Sequence, residues 1–386
     1  MAWKIPLADV VLGPEEEAAL IEVLRSGWLT QGEVTARFEA AFAELAGTEH
    51  AIAVGNCTAA LQLAYAALHA PPQGEVIVPS LTFVATASAA RAVGLTPVFA
   101  DIRSLTDLTL DPEDVRRRTT ERTVAITAVH YAGYPCDMVA LGAIAAERGV
   151  ALIEDCAHAP GATGIARDGS RRRAGGLGDV GCFSFYSNKN LTTGEGGMVT
   201  TDREDIARTA RLLRSHGMTT STWQRHEGHA FSYEVLEPGY NFRLDELRSA
   251  LGLVQLERLP ALNARRRELV ARYRTELGRL DGVAVPFADR ETDAPHLVVV
   301  LLPQGADRLG VMASMREAGV QTSIHYPPSH RFACYRDPGR RPLSTTDQAA
   351  ERLLTLPLNP KMSDDDVVTV VDALATGLEQ HGGSEP

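Results

Sequence analysis

A single lysine in the middle of the chain is the side chain best suited to covalent chemistry. Of the 38 lysines and arginines, only Lys4, Lys189 and Lys361 are lysines, and Lys189 alone lies far from both ends. It stands between the apolar run 181–186 and the glycine-rich run 193–197. A desolvated lysine amine can lose its proton and form a Schiff base with a carbonyl, which a guanidinium cannot do. The pattern indicates a Schiff-base lysine, with an ordinary strand-end lysine as the alternative.

An aspartate at the end of an apolar run is the second candidate. Asp155 follows the run 150–153, and burying its carboxylate is costly unless a cation lies opposite. A protonated pyridine nitrogen would supply the cation that pyridoxal phosphate (PLP) chemistry requires, because the charged ring accepts electrons. The alternative is a carboxylate that caps a helix or pairs with an arginine. We expect Glu154 to face the opposite side and to be structural. His158 could touch the cofactor ring or be a structural histidine.

Two short segments could bind a phosphate. Residues 55–58 (Gly-Asn-Cys-Thr) join a predicted strand to a predicted helix, whose N-terminal amides and Thr58 hydroxyl suit an anion. A plain helix N-cap by Asn56 or Thr58 explains the same residues. Ser184, shortly before Lys189, could bind phosphate as well. A phosphate loop, a strand-end aspartate and a downstream lysine together are more specific than any one of them.

A glycine motif at 176–181 matches the G-x-G-x-x-G pattern of dinucleotide-binding proteins. That fingerprint must follow a strand and open a helix. Here an arginine-rich loop precedes the glycines and a strand-like run follows them. We therefore expect no nicotinamide or flavin site at these residues.

Short apolar runs alternate with helical patterns along most of the chain. Helices are predicted at 14–25, 34–46, 59–69 and 244–274, and strands at 50–54, 75–79, 96–101, 124–130, 150–155, 296–301 and 320–325. Such alternation favours an α/β fold with a mostly parallel sheet, whose ligands bind beyond the carboxyl ends of the strands. We expect a large α/β domain with an N-terminal arm over 1–245 and a smaller α+β domain over 246–386.

The composition is typical of a globular enzyme without a nucleic-acid or membrane partner. The net charge is −11, and hydrophobic residues make up 45% of the chain. The five cysteines lack C-x-x-C spacing and suggest reduced thiols, so neither a disulfide frame nor a metal site is predicted. The N-terminus lacks the apolar stretch of a signal peptide, and no window suits a membrane helix. We expect a cytoplasmic protein.

Several blocks of sequence resemble one known family. The blocks are 26–32, 79–86, 129–135, 154–159, 183–197, 239–244, 325–328 and His330. In their order along nearly the whole chain they resemble the DegT/DnrJ/EryC1/StrS sugar aminotransferases. The resemblance implies a PLP-dependent enzyme of the aspartate aminotransferase-like fold, type I.

The resemblance implies roles for individual residues around the cofactor. Lys189 would form the Schiff base and then transfer protons, and Asp155 would pair with the pyridine nitrogen. Phe83 would stack on the ring, and His158 would lie near its phenolic oxygen. Asn241 would reach the phosphate from the other subunit of a homodimer with shared active sites. The other expected contacts are Cys57, Thr58 and Ser184 for the phosphate, and Arg243, His325, Tyr326 and His330 for the substrate, with Arg243 also a candidate for the cofactor phosphate.

Residues at two positions vary among members of the family. Cys57 stands where the family commonly has glycine, so its backbone is expected to act rather than its thiol. Family members that dehydrate sugars carry histidine at the position of Lys189, so the lysine favours amino transfer.

The resulting hypothesis is amino transfer from an amino acid, with glutamate as first choice, to a nucleotide-diphosphate-linked keto-deoxysugar, in aminosugar or antibiotic biosynthesis. One alternative is an enzyme of the same family acting on a cyclitol or making an aromatic amine, and another is a non-catalytic regulatory or binding relative. The arginine run 171–173 could bind the sugar diphosphate or be a solvated charge run, and the run 265–267 is expected to be solvated.

Overall fold

The chain folds into alternating helices and strands. In this computed structural model the described residues are 3–220, 228, 232–337, 339 and 341–382. The helices are α1 (Pro14–Ser26), α2 (Glu33–Ala46), α3 (Cys57–Ala66), α4 (Ala85–Ala92), α5 (Pro112–Arg118), α6 (Met138–Arg148), α7 (Glu204–Arg214), α8 (Glu246–Leu277), α9 (Arg308–Glu317), α10 (Ser344–Arg352) and α11 (Asp364–His381). The strands are β1 (His50–Val54), β2 (Glu75–Pro79), β3 (Thr96–Ala100), β4 (Thr123–Val129), β5 (Ala151–Asp155), β6 (Thr163–Ile165), β7 (Arg171–Arg173), β8 (Val180–Ser184), β9 (Gly197–Thr201), β10 (Val298–Leu301) and β11 (Leu353–Leu356). Within the described ranges, no helix combines the length and the apolar character that crossing a bilayer requires.

A seven-stranded sheet has the order β1-β9-β8-β5-β4-β2-β3. Neighbours pair in parallel from β8 through β5, β4 and β2 to β3, whereas β9 pairs antiparallel with both β1 and β8. The carboxyl ends of β1, β5 and β8 therefore lie at the same end of the sheet. The prediction of a mostly parallel central sheet is confirmed.

Both faces of the sheet are covered by apolar layers. Leu152 on β5 packs into one buried cluster and Ile153 into another, and Phe183 and Cys182 on β8 divide in the same way. Successive side chains of a strand point to opposite faces, so a strand buried on both faces needs a continuous apolar run. This requirement explains why the strands were visible in the sequence as short uninterrupted apolar segments.

The first residue of α8 ties that helix to α2. Glu246 is buried, and its carboxylate accepts hydrogen bonds of 2.8 Å from the backbone N–H groups of Gly32 and Thr35 and of 2.9 Å from that of Val34. The Thr35 hydroxyl donates a further bond of 2.7 Å. These amides belong to the start of α2, where they lack partners within the helix, so the carboxylate caps α2 at the positive end of its dipole.

A second apolar core lies in the C-terminal part and includes Val300, Leu354 and Val370. The start of the chain joins this core, because Ile5 is buried there and its N–H donates a hydrogen bond to Gly319 O. The N-terminal segment therefore packs on the C-terminal module rather than on the seven-stranded sheet. The division of the chain at 245/246 stays a prediction.

The strand predicted at 320–325 is wrong. This segment makes two isolated bridges instead of a ladder, one between Val320 and Ile5 and one between Ser323 and Thr355. It passes between the N-terminal segment and β11 and forms a single bridge pair with each. A local apolar pattern does not reveal that the available partners are too short for a ladder.

Candidate active site

A cavity of about 1080 Å³ lies beyond the carboxyl ends of β1, β5 and β8. Eleven of the twelve predicted site residues line it: Cys57, Thr58, Phe83, Asp155, His158, Ser184, Lys189, Asn241, Arg243, His325 and Tyr326. The topology explains why these residues cluster, since parallel strands end at the same side of the sheet and the loops that follow converge there.

Asp155, the last residue of β5, presents a buried carboxylate to the cavity. The Thr86 hydroxyl donates a hydrogen bond of 2.8 Å to one oxygen, and the Ala157 N–H donates one of 3.1 Å to the other. The Cys57 thiol lies 4.0 Å from the second oxygen. Burial raises the pKa of Asp155, although both hydrogen bonds and the charge of Lys189 act in the opposite direction. These hydrogen-bond donors are neutral, so a cation entering from the cavity would stabilise the charged carboxylate.

The neighbouring Glu154 points to the opposite side of β5, as predicted, and is fully buried. It accepts hydrogen bonds of 2.8–2.9 Å from the backbone N–H groups of Gly175, Leu177 and Gly178. The G-x-G-x-x-G segment thus wraps around an internal carboxylate and continues into β8 instead of a helix. The segment therefore lacks the strand-to-helix context that a dinucleotide fingerprint requires.

One group of potential metal ligands in the described part of the chain is His130, Glu154 and Cys156. His130 accepts a hydrogen bond from the Cys136 N–H through Nδ1, so its Nε2 donates to Glu154 at 2.8 Å. Glu154 is engaged by this bond and by the three amides above. Protein hydrogen bonds therefore account for the group, which gives no argument for a metal.

The N-terminus of α3 faces the same cavity. The side chain of Asn56 accepts a hydrogen bond of 2.8 Å from the Ala59 N–H, so Asn56 is the N-cap, as one of the two interpretations had it. Cys57 and Thr58 open the helix, and the first N–H groups of a helix have no partner inside it. Ser184, at the end of β8, lines the cavity too. Two open amides, two hydroxyls and the helix dipole make this end suited to an anion.

Glycines allow the phosphate loop to lie close to the sheet. A Cβ atom at Gly197 would lie 2.6 Å from the carbonyl carbon of Asn56 and 2.7 Å from Phe183 O. One at Gly196 would lie 2.3 Å from the Thr193 hydroxyl oxygen. Glycine at these positions therefore permits the close approach of neighbouring segments.

Lys189 follows β8 and extends its amine into the cavity. Desolvation lowers its pKa from the ordinary 10.5 to about 8, against the opposing influence of Asp155 and Cys57. A substantial fraction of the amine is therefore unprotonated at mildly alkaline pH, which is the form that attacks a carbonyl.

The nearest polar partner of this amine was missed in the sequence. Nε2 of His296 lies 3.5 Å from Lys189 Nζ, and Nδ1 of the same ring lies 2.9 Å from Oδ1 of Asn190. His296 was considered only as the first residue of a predicted strand. The contact joins residues 107 positions apart, so no local pattern could have found it.

His158 and Tyr326 form a hydrogen-bonded pair on the cavity wall. Nδ1 of His158 accepts a hydrogen bond of 3.3 Å from the Ala132 N–H. Burial lowers the pKa of His158 well below its ordinary value, with Lys189 and His325 adding to the effect, so the ring is neutral. Its one proton then resides on Nε2 and is donated to the Tyr326 hydroxyl, 2.8 Å away. The hydroxyl of Tyr326 keeps its own proton for an acceptor in the cavity.

The exposed ring of Phe83 faces that of Tyr326, with 5.8 Å between the ring centroids. Both rings line the cavity beside Asp155. This arrangement places an aromatic face next to the buried carboxylate, as stacking on a cofactor ring requires.

The segment 241–243 lies along the phosphate loop of its own chain. The Gly55 N–H donates a hydrogen bond of 2.9 Å to Phe242 O, and Val54 and Arg243 form an isolated bridge. Burial lowers the pKa of Arg243, and the neighbouring charge of Arg214 adds to this effect. Arg243 lines the cavity with Arg248, so two guanidinium groups face it from this side. The reach of Asn241 into a second subunit stays a prediction.

One predicted site residue, His330, lies outside this cavity. Its Nδ1 is 2.6 Å from the Ser80 hydroxyl and its Nε2 is 3.3 Å from an Asp347 carboxylate oxygen. It lines a separate recess together with Arg331 and Arg336. The prediction of a substrate contact there is not supported by the geometry, because both ring nitrogens are directed at protein groups.

The two arginine runs also differ from expectation in part. Residues 171–173 form the exposed strand β7, pair with carboxylates such as Asp293 and do not line the cavity. In the run 265–267, Arg266 is only 5% exposed, so the prediction of a solvated run is wrong for this residue. It lies one turn after the buried Asn263 on α8 and shares its inward face.

Comparison with known proteins identifies the chain. A family model described as the DegT/DnrJ/EryC1/StrS aminotransferase family matches residues 11–375. The chain belongs to this family. The spore coat polysaccharide biosynthesis protein SpsC of Bacillus subtilis (strain 168) is 40% identical over 379 residues, 96% of each protein.

Solved structures of similar proteins superpose closely. A Streptococcus pneumoniae chain assigned as a sugar aminotransferase and solved in its PLP-form has a TM-score of 0.87 and 27% identity, over 97% of this chain and 99% of that one. DesI, solved in the presence of its TDP-sugar product, has a TM-score of 0.85 and 35% identity, over 98% of this chain and 94% of that one. The protein is thus a PLP-dependent sugar aminotransferase, and the predicted fold type is confirmed.

The residues that line the cavity fit PLP. Asp155 is a buried carboxylate whose hydrogen-bond donors are neutral, which suits a protonated ring nitrogen. The start of α3 suits the phosphate, and the lowered pKa of Lys189 suits attack on an aldehyde. Phe83 supplies an aromatic face in the same cavity.

Proposed function

We propose that the protein transfers an amino group from an amino acid, L-glutamate as first choice, to a nucleotide-diphosphate-linked keto-deoxysugar. The observation that carries the proposal is that Lys189 and Asp155 face one cavity that also receives the N-terminus of α3. An amine, a buried acid and an anion site are the three elements that amino transfer with PLP needs.

Different residues of the cavity bind the cofactor and transfer the proton. Lys189 would hold the cofactor aldehyde and, when its amine is free, would carry a proton to and from the substrate carbon. Asp155 holds the ring nitrogen, while Cys57, Thr58 and Ser184 bind the phosphate through backbone amides and hydroxyls. When bound, the cofactor supplies the electron sink that makes the substrate carbon acidic.

The sugar substrate is recognised on the side of the cavity that carries Arg243 and Arg248. Guanidinium groups bind phosphate oxygens bidentately, which suits a sugar diphosphate. The TDP-sugar in the DesI structure supports this class of substrate. His325 and Tyr326 line the same cavity and are then the expected contacts of the sugar.

We further propose a cytoplasmic homodimer with shared active sites that serves aminosugar or antibiotic biosynthesis. Large apolar side chains are exposed at the cavity, with Phe83 at 58% and Tyr186 at 48% exposure. Asn241, which is expected to reach a second subunit, lies in the same region. Light scattering tests the assembly, and a strictly monomeric active enzyme would contradict it.

The test of the proposed reaction is a panel of thymidine- and uridine-diphosphate ketosugars, with glutamate as donor and product mass as the readout. The panel includes a keto-cyclitol and a carbonyl precursor of an aromatic amine. We expect a mass change that corresponds to replacement of C=O by CH–NH₂ on a nucleotide sugar.

Two variants make this test specific. Lys189→Ala should abolish both the product and the visible absorption of the bound cofactor, whereas Lys361→Ala, at an exposed lysine paired with Asp9, should change neither. Amination of the cyclitol or the aromatic precursor alone would reject the sugar substrate, and the absence of any cofactor absorption would reject the enzyme assignment for this chain.

A further inference from the structure

A chain of buried side chains runs from the catalytic lysine into the protein. Beyond His296, the Asn190 amide nitrogen donates to Asn263 Oδ1 at 2.9 Å and to Pro295 O at 3.1 Å. Asn263 in turn donates to Pro160 O at 3.1 Å. His296, Asn190 and Asn263 are each less than 8% exposed.

These bonds determine the tautomer of His296. The amide nitrogen of Asn190 faces two carbonyl acceptors, so its Oδ1 is the atom turned towards His296. An oxygen can only accept, and therefore Nδ1 of His296 carries the proton. In the neutral ring Nε2 is then a free acceptor, and it points at Lys189 Nζ.

The surroundings of His296 keep it neutral. Burial lowers its pKa well below the ordinary value, and the charge of Lys189 adds to the effect. His158, Arg266 and His325 also face it and act in the same direction. An imidazolium at this position would direct an N–H at the ammonium of Lys189, which is unfavourable. Both the hydrogen-bond geometry and the neighbouring charges therefore favour a neutral ring that accepts through Nε2.

We propose that His296 is a positioning residue that receives the amine of Lys189 whenever that amine is not joined to the cofactor. The amino donor would displace Lys189 in the first half of the reaction, and the amine would stay free until the aminated product leaves in the second half. Throughout this time the released side chain must stay in place to move protons. A neutral acceptor fixes one N–H of the amine. A negatively charged acceptor would also do so, but it would raise the pKa of the lysine and hold it protonated. The Asn190–Asn263 pair serves to keep Nε2 free of a proton. The inference rests on the proposed role of Lys189, but it can be tested without turnover.

The scarcity of lysine makes the test direct. The protein is loaded with pyridoxamine phosphate, which leaves Lys189 free, and is labelled with trace acetic anhydride from pH 6 to 11. Mass spectrometry then reports the acetylation of each lysine, with Lys4 and Lys361 as internal standards. In the wild-type protein, the pH at which the acetylation rate of Lys189 is half its maximum (the Lys189 midpoint) is expected near 8.

Two variants separate positioning from packing. His296→Asn retains a donor for Asn190 but is too short to present an acceptor to Lys189, whereas His296→Gln places an amide oxygen near the position of Nε2. We expect His296→Asn to lower the Lys189 midpoint by about half a pH unit or more, because the ammonium loses an acceptor. His296→Gln should restore most of the shift, and the two standards should not change. The rate at which each apoprotein captures PLP, followed by absorbance, should fall severalfold in His296→Asn and recover in His296→Gln.

The outcomes are decisive in either direction. Equal midpoints in wild type and His296→Asn, or the same shift in the Asn and Gln variants, would overturn the positioning role. If the predicted shift occurs but no ketosugar is aminated, His296 positions Lys189 and the proposed substrate is wrong. A wild-type midpoint equal to that of Lys361 would overturn the lowered basicity on which both ideas depend.

Discussion

The hydroxyl of Thr86 donates a hydrogen bond of 2.8 Å to Oδ2 of Asp155. Since the proton of Thr86 is used on the carboxylate, the hydroxyl of Thr82, 2.9 Å away, donates to the Thr86 oxygen. Burial raises the pKa of Asp155, and the Thr86 hydrogen bond is foremost among the contacts that oppose this rise. The pair therefore helps to keep the acid charged for the cofactor.

Replacing Thr86 by valine removes this donor while conserving shape. We expect the pKa of Asp155 to rise further and the affinity for PLP to fall about tenfold, since a hydrogen bond to a charged group contributes roughly 1.5 kcal/mol. Absorbance titration of the apoprotein measures the affinity. Thr86→Ser keeps the hydroxyl and should bind PLP nearly as wild type does, and equal affinities in the Val and Ser variants would contradict the assignment.

Predictions from the sequence succeeded where the signal is local. The strands predicted at 50–54 and 75–79 are β1 and β2, because continuous apolar runs are required of strands buried on both faces. The alternation of side chains along β5 separated Asp155, which faces the cavity, from Glu154, which faces inward.

The misses share one cause, which is contact between residues distant along the chain. His296 meets Lys189 across 107 positions, and Thr86 meets Asp155 across 69. Arg266 was judged by the charge run in which it lies, although its spacing from Asn263 places it on the buried face of α8. Only the packing of the helices against the sheet decides these contacts.

The lowered pKa of Lys189 predicts a stability that depends on pH. The folded protein holds this amine with a pKa of about 8, against 10.5 in the unfolded chain, so the unfolded state binds more protons between these values. The free energy of unfolding of the apoprotein should therefore rise with pH through this window. Lys189→Met removes the cost of burying the ammonium and should stabilise the apoprotein by roughly 3 kcal/mol at pH 7.

Urea denaturation of the apoprotein at pH 7 and at pH 10.5 checks this expectation. The stabilising effect of Lys189→Met should nearly disappear at the higher pH, where the folded amine is neutral and the unfolded amine is only half protonated. Lys361→Met is the matched control at an exposed lysine, and it should change stability little at either pH. A stabilisation by Lys189→Met that is the same at both values would show that charge is not its cause.

The capping of α2 by Glu246 predicts a large loss of stability without contact to the cavity. In Glu246→Gln the amide nitrogen would face backbone N–H groups that now donate to a carboxylate. We expect a loss of roughly 2 to 4 kcal/mol in urea denaturation. Glu33→Gln changes an exposed carboxylate in the first turn of the same helix and should cost less than about 1 kcal/mol. Equal effects of the two changes would show that the cap is not the reason.

The contact between Gly197 and the phosphate loop predicts a defect specific to the cofactor phosphate. In Gly197→Ala the new Cβ atom would lie 2.6 Å from the Asn56 carbonyl carbon, so the loop that opens α3 must move. We expect a stability loss of about 1 to 3 kcal/mol. Affinity for PLP should fall severalfold, and affinity for pyridoxal, which lacks the phosphate, should change little. Gly55→Ala is the control within the same loop, because its Cβ atom would have neighbours no closer than 3.9 Å. A parallel loss of affinity for both ligands in Gly197→Ala would indicate that the substitution disturbs the ring site. The idea that the close approach of β9 to the loop shapes the phosphate site would then be wrong.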